Sequence, residues 1–216
     1  MTSSGLSGSI RIGYMTNVTL FDIPRLLGRF SDDHPDVTMR LVPAAAGTAG
    51  LADRLRGGDL DLAFLAATPE DYPDLRIEVL ARSLLGLAVA ASDPLAGRRC
   101  ILLADTAALR FIDFHEGFAN RTLVDAEFRR RGLRHEVQIE TSDMNDAAAL
   151  VRNGLGVGFL PKYLVDGDAR VDWIEIEDAA FEICVSVATA RGRMLSAAAS
   201  RLAVLARGEA DGRRAP

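Results

Sequence analysis

A strand pattern, a helix pattern and a second strand pattern follow one another near the start of the chain: Ser9-Ile-Arg-Ile-Gly-Tyr14, Pro24-Arg-Leu-Leu-Gly-Arg-Phe30 and Val37-Thr-Met-Arg-Leu41. In the first and last segments, apolar side chains alternate with polar residues or glycine, which is typical of a β-strand. In the middle segment, the apolar residues from Ile23 to Phe30 recur at the three- and four-residue spacing of a helix with one buried face. This strand–helix–strand order predicts an α/β fold with a mostly parallel sheet.

The same alternation continues along the rest of the chain. It predicts strands at residues 60–65, 75–80, 84–91, 111–112, 137–139, 157–160 and 181–190, and helices near 48–57, 118–131, 144–153 and 195–205. Thr48 is a candidate N-cap for the second helix, which Gly57 and Gly58 close. Two strand–helix series that share the long apolar strands 84–91 and 181–190 would form two lobes. Ligands of such sheets bind at the carboxyl ends of the strands.

Composition indicates a soluble globular protein, because 49% of the 216 residues are hydrophobic and 25% are charged. No segment approaches the roughly 20 consecutive apolar residues that span a bilayer.

Residues 1–8 lack the basic and apolar regions of a secretory signal, and we interpret them as a linker or an expression remnant. The polar tail, residues 209–216, is expected to fray. Cys100 and Cys184 are interpreted as reduced thiols of a cytoplasmic protein, with a disulfide as the alternative.

The charge of the chain argues against direct binding to nucleic acid. Its formal net charge is −5, whereas DNA-binding domains are usually basic. Arg129, Arg130, Arg131 and Arg134 form the one basic cluster of note, and they are explained as cations near the C-terminus of a helix. We therefore do not expect this chain to bind DNA by itself.

Six segments occur in the order seen in one family of bacterial transcription regulators. They are Ser9–Tyr14, Pro24–Phe30, His34–Val37, Leu55–Ala63, Ala91–Ala96 and Gly154–Pro161. Over residues 9 to about 207, the chain resembles the effector-binding domain of LysR-type regulators. The resemblance implies a type II periplasmic-binding-protein-like fold, with two Rossmann-like lobes joined by two crossover strands and separated by a cleft. Lobe I would comprise residues 9–90 plus 181–208, and lobe II residues 91–180.

The resemblance also implies a function and partners. A small-molecule effector would bind between the lobes and modulate DNA binding by the full-length oligomer. Complete members of the family carry an N-terminal winged helix-turn-helix that this sequence lacks, so DNA would be contacted only through that missing domain. Effector-binding domains of the family commonly pair as homodimers, and a tetramer is expected for the full-length protein. No membrane partner is expected.

The loops after the strands are the effector site that the resemblance implies. In lobe I they contain Thr16, Asn17, Gly47, Thr48, Leu65 and Ala66, and in lobe II Asp113, Phe114, His115, Thr141, Ser142, Asp143 and Met144. Small hydroxyl side chains and N–H groups at helix starts offer convergent donors to a ligand. The alternative is structural: Thr48, Ser142 and Asp143 would cap helices, and Met144 would pack in the core.

The same loops contain no Arg or Lys, although the chain has 24 arginines and one lysine. Because arginine commonly binds carboxylates and phosphates, this pattern favours a neutral, aromatic or cationic effector over a di- or trianion. No cofactor is predicted. His115 lies beside Glu116, but the three histidines show no metal-binding spacing, so no metal site is predicted either. Gly154, Gly156 and Gly158 follow a helix and precede a strand, which is the reverse of the dinucleotide-binding order.

Two other functions use the same fold. A solute-binding protein for transport would carry a signal peptide or lipid anchor. An enzyme would need a nucleophile with its base or a carboxylate pair, and the loops offer neither. We therefore expect a sensor without catalytic activity.

Overall fold

The computed structural model describes residues 5–16 and 19–214, with only the backbone described from residue 212 onward. Contacts divide the chain into two compact units. Unit 1 comprises the chain up to Arg82 and from Cys184 onward, and unit 2 spans Ser83–Ile183. Two long strands, β4 (Leu75–Ala90) and β10 (Phe181–Ala190), each run from one unit into the other. The sequence placed the lobe limits at the ends of these strands, whereas the contacts place them within the strands.

Unit 1 contains one sheet with helices packed against it. Its further strands are β1 (Gly8–Tyr14), β2 (Val37–Pro43) and β3 (Leu62–Leu65), and its helices are α1 (Ile23–Asp33), α2 (Gly47–Gly57) and α7 (Ala197–Arg214). The strand order is β2-β1-β3-β10-β4. Strand β1 pairs in parallel with β2 and β3, whereas β3 and β10 are antiparallel. The predicted α/β class is therefore confirmed.

The core of unit 1 consists of two apolar clusters. In one, Ile10 and Ile12 of β1 pack with Phe30 of α1 and Leu202 of α7. In the other, α2 packs on β3 close to Gly13, where a Cβ would lie 2.6 Å from the Leu60 Cδ1 atom. A side chain at position 13 would therefore force the Leu60 and Leu51 side chains to move.

The end of α7 corrects a prediction from the sequence. Residues 209–216 were expected to fray, but the helix continues to Arg214. Ala206 and Ala210 are buried in the same apolar cluster as the rest of the helix. The Glu209 carboxylate is also buried, and Arg29 of α1 pairs with it at 2.5 Å. Burial of small residues and a partly buried ion pair thus extend a segment whose composition alone is polar.

Unit 2 contains a second set of strands and helices. The strands are β5 (Cys100–Ile101), β6 (Arg110–Phe114), β7 (Glu136–Thr141), β8 (Gly158–Pro161) and β9 (Val171–Ile176), and the helices are α3 (Leu103–Thr106), α4 (Ala119–Arg130), α5 (Met144–Arg152) and α6 (Lys162–Val165). Strand β4 pairs antiparallel with β8 and β9, and β5 pairs in parallel with β9. Strands β6 and β7 form a parallel pair. Two apolar clusters fill this unit, one around Phe111 and Phe159 and the other around Phe114 and Val151.

Two differences from the sequence prediction concern strand β4 and the short elements. The sequence predicted separate strands at 75–80 and 84–91, but Leu75–Ala90 is one strand, because residues 81–84 contain no turn-forming Gly or Pro. The sequence analysis missed β5, α3, α6 and β9, three of which have four or fewer residues and are too short to show a period. Among the described residues, no helix is both long enough and apolar enough to cross a membrane.

Candidate functional site

The three parallel strands of unit 1 end at one edge of its sheet. Tyr14, the last residue of β1, is in register with Pro43 of β2 and Phe64 of β3. The Tyr14 carbonyl also accepts a hydrogen bond from the Ala44 N–H at 3.0 Å. The loops that contain Thr16, Gly47 and Ala66 therefore leave the sheet at the same edge, as the sequence predicted for a ligand site.

Thr48 links two of these loops. Helix α2 begins at Gly47, and its N-cap residue, Ala46, makes no side-chain hydrogen bond to it. Thr48 lies inside the first turn and is 3% exposed, and its hydroxyl accepts a hydrogen bond from the Ala66 N–H at 3.2 Å. The prediction that Thr48 caps α2 is wrong, because this hydroxyl satisfies an amide of the loop after β3 instead.

The other predicted residues of unit 1 have different surroundings. Thr16 is exposed in the turn after β1, and Ala66 is half-buried. Gly47 is buried and has a φ of 61°, which favours glycine at this position. Leu65 is fully buried in the core, so only its backbone is near the loop surface. Asn17 lies outside the described residues.

In unit 2, the parallel pair of β6 and β7 brings the other predicted loops together. Phe114 is in register with Thr141, and the His115 N–H donates a hydrogen bond to the Thr141 carbonyl at 3.3 Å. The segments 113–115 and 141–144 therefore leave neighbouring strands side by side. Their arrangement repeats, within unit 2, the strand-end edge found in unit 1.

The start of helix α5 is capped by its own segment. The Asp143 carboxylate accepts hydrogen bonds from the Asn145 N–H at 2.8 Å and the Asp146 N–H at 3.2 Å. The Thr141 hydroxyl in turn accepts from the Asp143 N–H at 3.2 Å. The capping alternative is thus confirmed for Asp143, and the amides that it caps are already satisfied. Ser142, between these two residues, is exposed.

Two of the predicted residues pack mainly against apolar neighbours. Phe114 is 2% exposed and stacks on Phe118, with ring centroids 6.0 Å apart. Met144 is half-buried and packs against both apolar clusters of unit 2. Its Sδ atom lies 3.9 Å from the Tyr163 hydroxyl, and burial raises the pKa of Tyr163 to about 12. The structural alternative therefore describes the side chain of Met144.

An arginine that the sequence analysis missed lies next to these loops. Arg121 of α4 donates hydrogen bonds from Nη1 to the Phe114 carbonyl at 3.0 Å and to Glu140 Oε1 at 2.9 Å. Its Nε donates to Asp125 Oδ2 at 2.9 Å. Burial lowers the pKa of Arg121, but the bonds to Glu140 and Asp125 more than offset this and raise it. Arg121 lies in the first turn of α4, so inspection of the strand-end loops alone could not find it.

Three acidic side chains and a histidine surround Arg121. Asp113 is buried, and its Oδ1 accepts a hydrogen bond from the Phe114 N–H at 2.7 Å. His115 is exposed, with its Nδ1 atom 3.5 Å from Glu140 Oε2. Because Glu140 and Asp125 both pair with Arg121, the guanidinium charge is matched within the protein. The loops of unit 2 thus have a negative rather than a positive balance.

Residues 3–211 match the family model described as the LysR substrate binding domain. The chain belongs to the LysR substrate-binding domain family. A relative in Bacillus subtilis, the uncharacterized HTH-type transcriptional regulator YybE, is 28% identical to this LysR domain over 189 residues, which is 88% of the chain and 64% of the relative. The domain spans about half to two thirds of the length of the curated relatives that it matches.

Solved structures of similar chains agree with the fold. The effector-binding domain of QuiR in complex with shikimate has a TM-score of 0.83 and 22% identity, and the alignment covers 96% of this chain and 99% of that one. The CcmR regulatory domain of Synechocystis PCC6803, in complex with 2-PG, has a TM-score of 0.80 and 21% identity, with 94% and 97% covered. The LysR domain therefore has the two-lobed, type II periplasmic-binding-protein-like α/β fold predicted from the resemblance.

Proposed function

We propose that this LysR domain senses a small-molecule effector through its strand-end loops and thereby modulates DNA binding by a longer, oligomeric regulator. The observation that carries the proposal is the alignment of parallel strand ends in each unit: Tyr14 with Pro43 and Phe64 in unit 1, and Phe114 with Thr141 in unit 2. This is the edge at which α/β sheets bind ligands. DNA contact would belong to a winged helix-turn-helix segment outside this chain, and the domain would act in the cytoplasm as part of a homo-oligomer.

Sensing requires that the effector distinguish two states of the regulator. A ligand shifts a conformational equilibrium only by the difference between its affinities for the two states. Groups of the strand-end loops would provide that difference by contacting the ligand more closely in one state than in the other. No covalent step is needed, which is consistent with a sensor that has no catalytic activity.

The charges near the loops support an effector with little negative charge. Asp113, His115, Glu140 and Asp143 lie on the segments of unit 2, and the neighbouring Arg121 is already paired with Glu140 and Asp125. A di- or trianion would meet carboxylates here without an unpaired arginine. We therefore propose a neutral, aromatic or cationic effector, and a domain whose preferred ligand is a sugar phosphate would contradict this part of the proposal.

A thermal-shift screen provides the first test. The domain is heated with aromatic acids, amino acids, nucleosides, amines, sugar phosphates and the two ligands of its structural relatives, shikimate and 2-PG. A compound that binds the native state raises the melting temperature by mass action. We expect a reproducible rise from at least one class of compound with little negative charge.

Two threonine variants then test the site with the compound found. Thr16→Ala in unit 1 and Thr141→Ala in unit 2 each remove one hydroxyl from a strand-end loop, and each is expected to weaken binding about tenfold, as the loss of one hydrogen bond implies. Isothermal titration calorimetry measures the dissociation constants. Thr38→Ala is the matched control, because Thr38 is exposed near the opposite end of β2. Wild-type affinity in both loop variants would exclude this site.

A transport protein that binds a solute is the second candidate with the same fold. It shares the predicted ligand edge, so ligand binding alone does not separate the two functions. A sensor predicts that the ligand changes promoter binding by a protein that joins this domain to a DNA-binding segment. A ligand that binds tightly yet leaves promoter binding unchanged would favour the transport function.

A further inference from the structure

Three side chains of unit 2 meet at one buried point below the strand-end loops. Asp113 belongs to β6, Asp125 to α4, and His135 to the segment that leads into β7. One carboxylate oxygen from each aspartate and one imidazole nitrogen lie within 4.8 Å of one another. The side chains of Asp113 and His135 are only 6% and 7% exposed, so both are held away from bulk water.

One carboxylate oxygen of each aspartate accepts a structural hydrogen bond, and the other belongs to the group of three atoms. Asp113 Oδ1 accepts from the Phe114 N–H at 2.7 Å, and Asp125 Oδ2 accepts from Arg121 Nε at 2.9 Å. The remaining atoms are Asp113 Oδ2 and Asp125 Oδ1, together with His135 Nε2. Among the described residues, Asp113 Oδ2 and His135 Nε2 are buried without a hydrogen-bond partner. Buried polar atoms without a hydrogen-bond partner are costly, so these two atoms are available to a water molecule or an ion.

The distances between these atoms suit a shared metal ion. His135 Nε2 lies 3.4 Å from Asp125 Oδ1 and 3.8 Å from Asp113 Oδ2. Zinc binds imidazole nitrogen and carboxylate oxygen at about 2.0–2.2 Å, which separates the ligand atoms of a tetrahedron by about 3.3–3.6 Å. The two aspartate oxygens lie within 4.8 Å of each other, so a tetrahedral ion would need them to approach by up to about 1.2 Å, which side-chain rotation allows.

The surroundings hold the imidazole in place. The His135 ring lies edge-on to Phe111 at 5.1 Å and packs against Phe128 at 4.4 Å, measured between centroids. A surface cavity is lined by Asp125, Phe128 and His135, among others, so two of the three candidate ligands border an opening to solvent. Apolar packing on one side and an opening on the other are the arrangement of a site with three protein ligands and one position for water.

The local charge also favours a cation. Asp113, Asp125 and Glu140 share the guanidinium of Arg121, while Arg129 and Arg134 line the neighbouring cavity. Arg121 engages Asp125 through Oδ2 and Glu140 through Oε1. Its Nε is 3.9 Å from Asp113 Oδ2, beyond hydrogen-bonding distance. The guanidinium therefore leaves the three inward-facing atoms unoccupied, and the excess negative charge would be reduced by a divalent ion.

We propose that Asp113, Asp125 and His135 bind one divalent transition-metal ion of the zinc class, with a water molecule as the fourth ligand. This inference does not rest on the effector-sensing function. It replaces the expectation from sequence that no metal site is present, because that expectation considered histidines spaced along one element. The three ligands come from three elements that only the fold brings together. Bound metal would join β6, α4 and the start of β7.

Calorimetric titration with Zn²⁺ tests the site. The domain is first treated with a chelator and dialysed, and then titrated with Zn²⁺ and, separately, with Mn²⁺. We expect one equivalent of Zn²⁺ to bind and to raise the melting temperature. Asp125→Asn and His135→Gln each replace one ligand, and each is expected to weaken Zn²⁺ binding at least about tenfold. Asp105→Asn is the matched control, since it changes an exposed aspartate of the same unit.

The two variants keep the test decisive if one of them misfolds. His135 is buried, whereas the Asp125 side chain is 27% exposed, so Asp125→Asn is expected to retain the wild-type circular dichroism spectrum in the presence of chelator. Failure of the unmodified domain to bind one equivalent of Zn²⁺ would overturn the proposal. So would Zn²⁺ binding that is equally tight in wild type and Asp125→Asn, because the ion would then lie elsewhere.

Discussion

The Thr48 hydroxyl accepts the Ala66 N–H at 3.2 Å, where Thr48 is 3% exposed. Valine has the same shape as threonine but cannot accept this bond. Thr48→Val would therefore leave the N–H of the half-buried Ala66 without its partner, and we expect it to lower the free energy of unfolding by about 1–2 kcal/mol. Urea denaturation of the variant and of wild type measures the difference.

Thr38→Val is the control for this substitution, because Thr38 is exposed on β2. It makes the same chemical change and is expected to alter the free energy of unfolding by less than about 0.5 kcal/mol. Equal losses in the two variants would mean that the Thr48 hydroxyl is not important for stability.

A second residue-scale prediction concerns the ion pair of Arg11 with Asp61. Arg11 donates to Asp61 from its backbone N–H at 2.8 Å and from its guanidinium at 2.8 and 3.2 Å. Burial raises the pKa of Asp61, but the hydrogen bonds from Arg11 outweigh burial and lower it. A carboxyl whose pKa is lowered on folding stabilises the native state above its unfolded pKa, about 3.9, and this contribution is lost as the pH falls through the folded value.

Asp61→Asn should therefore cost stability near neutral pH and little in acid. We expect a loss of about 0.5–1 kcal/mol at pH 7, modest because water screens a partly exposed pair, and a shrinking difference from wild type below about pH 4. Urea denaturation at several pH values measures the loss at pH 7 and its decrease in acid. Asp36→Asn, which makes the same change at an exposed turn residue, is the control. A difference in the free energy of unfolding that is the same at all pH values would contradict the lowered pKa of Asp61.

At the scale of elements, hydrophobic periodicity predicted the long helices and strands. It did not predict elements that are very short or that depend on tertiary packing. Strand β10 has the predicted bounds, Phe181–Ala190, because a long and mostly apolar run can be recognised directly. The two-residue strand β5 exists only because Cys100 and Ile101 pair with β9. The polar end of α7 is helical because it packs on unit 1, a tertiary effect that local composition does not show.

The last turns of α7 provide a prediction at this scale. Ala210 is 4% exposed in the core of unit 1, so Ala210→Asp would place a charge in an apolar cluster. We expect a loss of about 2–3 kcal/mol in the free energy of unfolding, measured with urea. Val204→Asp, at a position on the same helix that is 43% exposed, should cost no more than about 0.5 kcal/mol. A harmless Ala210→Asp would indicate that this end of the helix frays in solution.

At the scale of the whole molecule, the resemblance to a family predicted the fold, whereas the details of the site required coordinates. The order of six short segments was enough to predict two lobes and the edge where parallel strands end. It could not show that Leu65 and Phe114 are buried, or decide between ligand contact and helix capping for Asp143. Nor could it place Arg121, which reaches the loops from within α4. These features depend on side-chain packing between elements distant in sequence.

The most direct test of effector sensing is hydrogen–deuterium exchange of the domain with and without the compound found by thermal shift. Effector binding at the strand-end loops predicts slower exchange there, because a bound ligand would restrict opening of their amides. The peptides concerned cover residues 44–48 and 65–68 of unit 1 and residues 113–116 and 141–144 of unit 2. Exchange at the opposite end of β2 should not change. Protection from exchange that is confined to other parts of the chain, or no protection at saturating ligand, would contradict effector binding at these loops.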